Sequence, residues 1–369
     1  MQLTYRFRLY PSRAQEQKLL KTLDQCRWLY NRLLEELNRA RTEGRKITKL
    51  ETQALIVKLK GENRELKSVY SKVLQMVNYQ LWSNIRALAG LKKNGRKVGK
   101  LRFKGKWFKT LNFNQSGFKL ERKKLMLSKV GEIPIKLHRE VKGKVKGVII
   151  KKELSGKWYA IFQVEDEPEP LPKTGKAVGI DVGVKHFLTD TEGRQVENPK
   201  FYERSLEHIR IMHKQLSRKQ KESTNREKYR IRLAKAYEKL MNQRNDFLHK
   251  LSRFYIDNYD TIVVEDLNIA GMAKNRNLAG KILDASWGKF LHMLSYKAER
   301  AGRDLIEVDP RGTSQEYKCG EIDRDYNAAL NILERGLVGL GQPELMPVEM
   351  GPLRVIPASS VVESGSPLR

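Results

Sequence analysis

Three acidic motifs stand where predicted secondary-structure elements end or begin, a position typical of an active site. Asp181 and Glu265 each end a short apolar run. Asp323 and Asp325 open an apolar segment with helical spacing. In open α/β sheets, ligands gather beyond the carboxyl ends of the strands. One such acid alone is more often a cap or turn residue, whereas the order of all three motifs indicates one shared site.

The chemistry that such a site favours is phosphodiester cleavage. Two divalent ions about 3.5 to 4 Å apart can clamp the attacking and leaving oxygens of a phosphate. Mg²⁺ prefers hard oxygen ligands and keeps most of its waters, so a few carboxylates suffice to hold it. The glycines near Asp181, Gly179 and Gly183, let a metal or a phosphate backbone come close to the main chain.

Strands and helices of one α/β domain must position these acids. The sequence predicts strands that end at Asp181 and Glu265, and a strand over residues 184–188 that turns back in a hairpin. Two charged helices, residues 201–219 and 226–259, occupy the chain between the two acids. The basic face of the second helix is compatible both with solvent exposure and with nucleic-acid contact.

The first half of the chain predicts a helical lobe inserted into a small antiparallel barrel. Residues 3–9 alternate apolar and polar, as a strand does, and helical spacing then continues to about residue 91, with Leu50 and Val57 among the predicted core residues. Five further strands are spaced like those of a barrel. They are predicted at residues 113–118, 125–128, 132–137, 146–153 and 158–165. An acidic stretch with prolines, residues 165–172, is predicted to be a linker.

A basic, glycine-rich segment lies between the helices and the barrel. Residues 90–110 contain nine Lys or Arg, four glycines, three aromatic residues and no acid. This composition is typical of phosphate contact combined with base stacking, worth roughly 1 to 3 kcal/mol per stacked base. The alternative is a solvated loop whose aromatic residues pack into the barrel. The candidate nucleic-acid-binding residues here are Lys92, Lys93, Arg96, Lys97, Lys100, Arg102, Lys104, Lys106 and Trp107.

The overall charge indicates a polyanionic partner. Lys and Arg number 73 against 43 Asp and Glu, a net charge of +30 over 369 residues, which fits DNA, RNA or an acidic membrane surface. The sequence has no run of about 18 apolar residues and no apolar signal-peptide core, so a membrane partner is not expected. Cys26 and Cys319 are too few for a disulfide scaffold and fit a reducing cytoplasm.

Seven stretches of the sequence resemble one protein family. GIDVG (179–183), VVEDLN (263–268) and DRDYNAALNIL (323–333) resemble the three acidic motifs of the RuvC-type, ribonuclease H-like nuclease in TnpB proteins and compact type V CRISPR effectors. The likeness continues in YRFRLYPS (5–12), CRWLYN (26–31), ASWGKFLHMLSYKAERAG (285–302) and VDPRGTSQ (308–315). It therefore spans roughly residues 1–335.

The resemblance implies a catalytic and metal-binding triad of Asp181, Glu265 and Asp325, which would hold two Mg²⁺ ions. Asp325 is preferred to Asp323 because the family's acid stands two residues before an asparagine, here Asn327.

The resemblance also implies the fold class, an α/β ribonuclease H-like (RuvC) nuclease domain joined to an all-β, wedge-like barrel that a helical recognition lobe interrupts. The family's wedge grips guide RNA, so Arg6 and Arg8 on the first strand are predicted RNA contacts.

The predicted parts are residues 1–12, the first barrel strand; 13–92, the helical lobe; 93–173, the remaining barrel and linker; 174–335, the nuclease domain; and 336–369, a flexible tail.

One departure from the family concerns zinc. Relatives usually carry a zinc ribbon of two Cys-x-x-Cys pairs between the VDPRGTSQ and DRDYNAAL motifs, whereas here only residues 316–322 remain, with Cys319. One thiolate cannot form the closed four-ligand site of a structural zinc. No zinc is therefore predicted, and the shortened region puts cleavage efficiency in question more than Mg²⁺ binding.

These observations predict an RNA-guided, Mg²⁺-dependent DNA endonuclease of the TnpB type. The expected partners are a guide RNA, bound by one protein monomer, and double-stranded target DNA in which the protein reads a short adjacent motif. The expected location is the cytoplasm of a prokaryote. The alternatives are an RNA-guided DNA-binding protein with impaired cleavage, an unguided RuvC-like nuclease, and a basic structural protein of ribonucleoprotein particles.

Overall fold

In the computed structural model, which describes residues 1–272, 274, 279–313, 323–339 and 352–363, the chain folds as two units, Met1–Asp166 and Glu167–Arg369. The division falls within the acidic, proline-containing stretch predicted to be a linker. None of the helices in the described ranges is long and apolar enough to cross a membrane.

The first unit contains a seven-stranded antiparallel sheet. Its strands are β1 (Gln2–Leu9), β2 (Thr110–Asn114), β3 (Phe118–Glu121), β4 (Lys124–Leu127), β5 (Gly131–Lys136), β6 (Lys144–Lys152) and β7 (Trp158–Glu165), in the order β2-β6-β7-β1-β5-β4-β3. Alternation along β1 buries Tyr5, Phe7 and Leu9 on one face, as the two-residue period of a strand requires.

The sheet is a nearly closed barrel, because its two edge strands are joined by three residues. β2 ends at Asn114 and β3 begins at Phe118, and Gln115 and Gly117 have φ angles of 63° and 85°. The prediction of a single strand over residues 113–118 is therefore wrong. Left-handed backbone conformations at two of three residues make a turn, which the alternating apolar pattern of the sequence did not reveal.

Three helices separate β1 from β2. They are α1 (Arg13–Thr42), α2 (Lys49–Glu62) and α3 (Ser71–Lys93), with a short 3-10 helix at Arg64–Ser68. Ser12 and Thr48 begin α1 and α2 with capping boxes, which satisfy the free amide groups of a first helical turn. The predicted burial of Leu50 and Val57 is wrong, since both are exposed, at 80% and 75%. Apolar residues occur on both sides of α2, so their spacing did not identify the packed face.

The second unit contains a six-stranded mixed sheet. Its strands are β8 (Ala177–Asp181), β9 (His186–Asp190), β10 (Arg194–Glu197), β11 (Thr261–Glu265), β12 (Asp304–Val308) and β13 (Arg354–Ile356), in the order β12-β11-β8-β9-β10-β13. Strands β8, β9 and β10 form an antiparallel meander, whereas β11 runs parallel to both β8 and β12. The helices are α4 (Phe201–Ser217), α5 (Thr224–Asn258), α6 (Ile269–Met272), α7 (Ala279–Ala285), α8 (Trp287–Ala301), α9 (Arg324–Val338) and α10 (Ala358–Glu363).

Part of the predicted flexible tail is ordered secondary structure. Strand β13 pairs in parallel with β10, and Ala358 and Val361 of α10 are buried in the core that α5 helps to form. The prediction of a flexible tail over residues 336–369 is wrong for residues 352–363. The pairing partner lies about 160 residues away in sequence, a distance over which local composition gives no signal.

Helix α9 lies directly on β8 at Gly179. A Cβ atom at this position would stand 2.3 Å from the carbonyl oxygen of Ala329 and 2.8 Å from the Cβ of Leu333. Glycine therefore sets the distance between the strand that carries Asp181 and the helix that carries Asp325.

Gly179→Ala is expected to lower the free energy of unfolding by about 1 to 3 kcal/mol, because the added methyl group overpacks the contact between β8 and α9. Thermal denaturation should show a midpoint several degrees lower. The matched control is Gly280→Ala on α7, where a Cβ meets no described atom within 4 Å. Equal midpoints for the two variants would contradict this close approach.

Candidate functional site

Asp181 and Glu265 lie side by side at one edge of the second sheet. Asp181 is the last residue of β8, and Glu265 is the last residue of β11. The two strands are parallel neighbours in which Ile180 pairs with Val264. Because each acid directly follows a paired residue, the strand register brings both carboxylates to the same edge.

Asp325 reaches this edge from the first turn of α9. The neighbouring Asp323 has a different role, because its Oδ1 accepts hydrogen bonds from the backbone N–H groups of Asp325 and Tyr326, each at 3.1 Å. Asp323 is the N-cap of α9 and also accepts a bond from Gln195 Nε2 at 3.1 Å. Asp323 therefore serves as the helix cap, and Asp325 is the acid of α9 that belongs to the candidate site.

The three carboxylates interact electrostatically. The pKa of Asp181 is raised to about 7, first by burial and then by the negative charges of Glu265 and Asp325, while Arg324 opposes the rise. Burial also raises the pKa of Glu265, whose side chain is almost inaccessible to solvent. A divalent ion bound here would offset the repulsion that the other two carboxylates exert on Asp181.

The donor chemistry fits Mg²⁺, which binds through one or two carboxylates and keeps several waters. Within the described ranges, however, no three His, Cys, Asp or Glu side chains form a group that could already hold a metal ion. The three acids are therefore electrostatic neighbours, not a preformed cage.

The structure adds one residue to the site that sequence reasoning missed. Thr313 donates its hydroxyl to Glu265 Oε1 at 2.5 Å, and its own carbonyl accepts from Asn331 Nδ2 at 2.8 Å. Thr313 belongs to the VDPRGTSQ stretch, whose resemblance to the family was the available signal. The residues that follow it, including the shortened segment 316–322 with Cys319, lie outside the described part of the chain.

In the first unit, Arg6 and Arg8 are engaged with neighbours on the sheet. The Arg6 guanidinium lies 3.8 Å from the centre of the Tyr159 ring and forms an ion pair with Glu153 at 3.0 Å. Arg8 donates to the carbonyl oxygen of Trp158 at 2.9 Å and lies 5.4 Å from the same Tyr159 ring. Their role as RNA contacts stays a prediction.

The basic segment before β2 exposes two of its three aromatic side chains. Phe103 and Trp107 are 55% and 59% exposed, whereas Phe108 is buried. Lys104 Nζ lies 4.9 Å from the Trp107 ring and 5.0 Å from the Tyr30 ring. Packing into the barrel therefore accounts for Phe108 only. The other candidates in the segment are also exposed; they are Lys92, Lys93, Arg96, Lys97, Lys100, Arg102 and Lys106.

Family models match three parts of the chain. Residues 161–276 match a family described as a probable transposase, residues 1–46 a helix-turn-helix domain, and residues 287–332 a Cas12f1-like TNB domain. A protein of Streptomyces pristinaespiralis named as an RNA-guided DNA endonuclease is 30% identical, over 90% of this chain and 89% of its own length. The chain belongs to the TnpB-type family of RNA-guided nucleases.

Other comparisons agree with the TnpB-type family. InsQ of Escherichia coli K12, also named as an RNA-guided DNA endonuclease, is 27% identical over 96% of this chain and 98% of its own. A solved structure, a cryo-EM structure of a Cas12f1–sgRNA–target DNA complex, matches with a TM-score of 0.51 and 14% identity, over 86% of this chain and 82% of that one. At that identity the match shows a shared fold alone. The resemblance to TnpB drawn from the motifs is thereby confirmed.

Proposed function

We propose that this TnpB-type chain is an RNA-guided DNA endonuclease that hydrolyses its target with two Mg²⁺ ions at Asp181, Glu265 and Asp325. The observation that carries the proposal is the placement of Asp181 and Glu265 at the ends of two paired parallel strands, with Asp325 in the first turn of the helix that packs on both strands. The names of the relatives from Streptomyces and Escherichia coli support guided endonuclease activity. The mixed sheet of the second unit supports a RuvC-like nuclease domain.

The side chains of the site supply negative charge and fix the positions of the metal ligands. Bound Mg²⁺ supplies activation of the attacking water and stabilisation of the leaving oxygen. Asp181 and Glu265 present their carboxylates from neighbouring strands, and Asp325 presents its own from a helix that packs on both strands. Burial of Glu265 keeps bulk water from competing for its oxygens. This chain would thus bind the ions with groups from rigid elements.

A groove in the first unit supports reading of a short DNA motif by the protein. The groove encloses about 410 Å³ between α3 and β2 and is lined in part by Gln80, Asn84 and Asn112. Amide side chains can pair with the donor and acceptor pattern of a base edge, so this groove is the place where we expect the adjacent motif to bind.

The basic segment supports binding of a nucleic-acid strand. Its exposed lysines and arginines suit phosphates, and the exposed rings of Phe103 and Trp107 suit unpaired bases.

Trp107→Ala is expected to weaken RNA binding by roughly 5- to 150-fold, because a stacked base contributes roughly 1 to 3 kcal/mol. Fluorescence anisotropy with labelled guide RNA measures the change. The control is Trp28→Ala on α1, a tryptophan that is 37% exposed and lies outside the basic segment. An equal loss of affinity in both variants would show that Trp107 has no specific role.

The function itself is tested with the purified protein and the RNA that accompanies it from the expression host. Sequencing identifies the RNA, and a supercoiled plasmid with the matching sequence should become linear in Mg²⁺ and stay intact in EDTA. An unmatched plasmid is the control. Cleavage that does not depend on the RNA would support an unguided nuclease instead.

A second candidate function is RNA-guided DNA binding with impaired cleavage. The shortened segment before Asp323, residues 316–322 with the single Cys319, favours it. Retardation of the matching plasmid without any cleavage, at every concentration of Mg²⁺ or Mn²⁺, would support this candidate over the endonuclease.

A further inference from the structure

The turn that follows β12 connects Glu265 to α9. Thr313, the last described residue of this turn, is 1% exposed and lies against Glu265, which is 9% exposed. Its hydroxyl lies 2.5 Å from Glu265 Oε1 and 3.0 Å from the carbonyl oxygen of Pro310. A hydroxyl has one proton to donate, and the shorter distance lies in the range of a charge-assisted bond to a carboxylate. The proton therefore belongs to the contact with Glu265.

The same turn is fastened to α9 through its backbone. Asn331 Nδ2 donates to the carbonyl oxygen of Thr313 at 2.8 Å. Arg335 Nη1 donates to the carbonyl oxygens of Arg311 at 2.7 Å and Asp309 at 3.1 Å. Because Asn331 is itself buried, the position of Thr313 is set by α9 and not by solvent.

We propose that Thr313 is a positioning residue that fixes the Glu265 carboxylate relative to α9, the helix that carries Asp325. The hydroxyl holds Oε1 and restrains rotation of the carboxylate, so Oε2 and the second lone pair of Oε1 keep a fixed direction toward an ion. Asn331 and Arg335 transmit the position of α9 to this bond. Hydrogen bonds thereby connect Glu265 to the helix that carries Asp325, an acid 60 residues later in the sequence.

This inference rests on the proposed function, since it assigns Thr313 to the metal site of that function. Groups that orient a metal ligand typically change metal affinity or activity by 10- to 100-fold when they are removed. The bond between Thr313 and Glu265 is the only one that the turn makes to this carboxylate among the described hydrogen bonds, so deleting the hydroxyl isolates its effect.

The test compares Thr313→Val, which removes the hydroxyl, with Thr313→Ser, which keeps it. Titration calorimetry of the protein–RNA complex with Mn²⁺ alone should show about tenfold weaker binding for the valine variant and a change within about twofold for the serine variant. In plasmid cleavage, the Mg²⁺ concentration for half-maximal rate should rise by the same factor. At saturating Mg²⁺, the cleavage rate of the valine variant should largely return to that of the parent.

Thermal midpoints without metal separate positioning from a purely structural role. A valine variant that loses stability but binds Mn²⁺ like the parent overturns the inference. If that variant does not fold, Arg335→Met replaces it, and Mn²⁺ binding equal to the parent overturns the inference in the same way. A parent complex that binds no Mn²⁺ at all refutes the proposed function itself, which keeps the two failures distinct.

Discussion

Replacing Asp181 with alanine should leave guide-RNA binding intact and slow target cleavage by about a thousandfold or more. The variant loses the strand-end carboxylate whose pKa the charges of Glu265 and Asp325 raise. Metal ions at such sites supply several kcal/mol of transition-state stabilisation, and about 4 kcal/mol corresponds to a factor of about a thousand in rate. Single-turnover cleavage of the matching plasmid and a parallel RNA-binding measurement test both parts of the expectation.

The matched control is Asp304→Ala, which removes an exposed acid at the opposite end of a strand in the same sheet. Cleavage by this control should equal that of the parent. If the Asp181 variant cuts as fast as the parent, the assignment of the three acids is wrong, whatever the result of the RNA-binding measurement.

The second large effect concerns stability. Arg194→Met should lower the free energy of unfolding of the second unit by about 3 to 5 kcal/mol, since it leaves the fully buried Asp190 carboxylate without its cation. Arg194 Nε donates to Asp190 Oδ2 at 2.8 Å, and the Tyr255 hydroxyl donates to the same oxygen at 2.8 Å. The Tyr255 hydroxyl and the backbone N–H groups of Glu192 and Arg194, which donate to Oδ1 at 3.0 and 3.1 Å, would remain, but none of them carries the positive charge of a guanidinium. The midpoint of thermal unfolding should fall by roughly 10 °C.

Arg253→Met on α5 is the control for this variant. Arg253 forms an ion pair with Asp257 at 2.7 Å, but the two side chains are 56% and 42% exposed. Exposed pairs contribute about 0 to 1 kcal/mol, so the control midpoint should move by at most a few degrees. Similar midpoints for both variants would mean that the buried pair contributes no more than a surface pair.

The sequence predicted the elements that carry the acids because their signals are local. Apolar runs ending at Asp181 and Glu265 have the length and composition of short buried strands, and the structure has β8 and β11 at those places. The choice between Asp323 and Asp325 needed the family resemblance, since both stand at the start of one helix. The structure supplies the physical distinction, because Asp323 caps α9.

Other features could not be predicted from the sequence because they depend on contacts between residues that lie far apart in the chain. Thr313 meets Glu265 across 48 residues, and no spacing rule links a turn threonine to a strand-end acid. Arg8 stands beside Tyr159 only because β1 and β7 pair in that register. A pattern of alternating residues predicted the strand that holds Arg6 and Arg8, but not the ring over which both guanidinium groups lie.

The parallel pairing of β13 with β10 also bears on attempts to make a smaller protein. A version shortened after α9 would expose the backbone amides and carbonyls of β10 that now pair with Arg354–Ile356. It would also leave cavities in the core where Ala358 and Val361 now pack. Uncovered sheet edges recruit other chains. Size reduction at this end would therefore favour self-association, and fusion partners are better attached beyond residue 363.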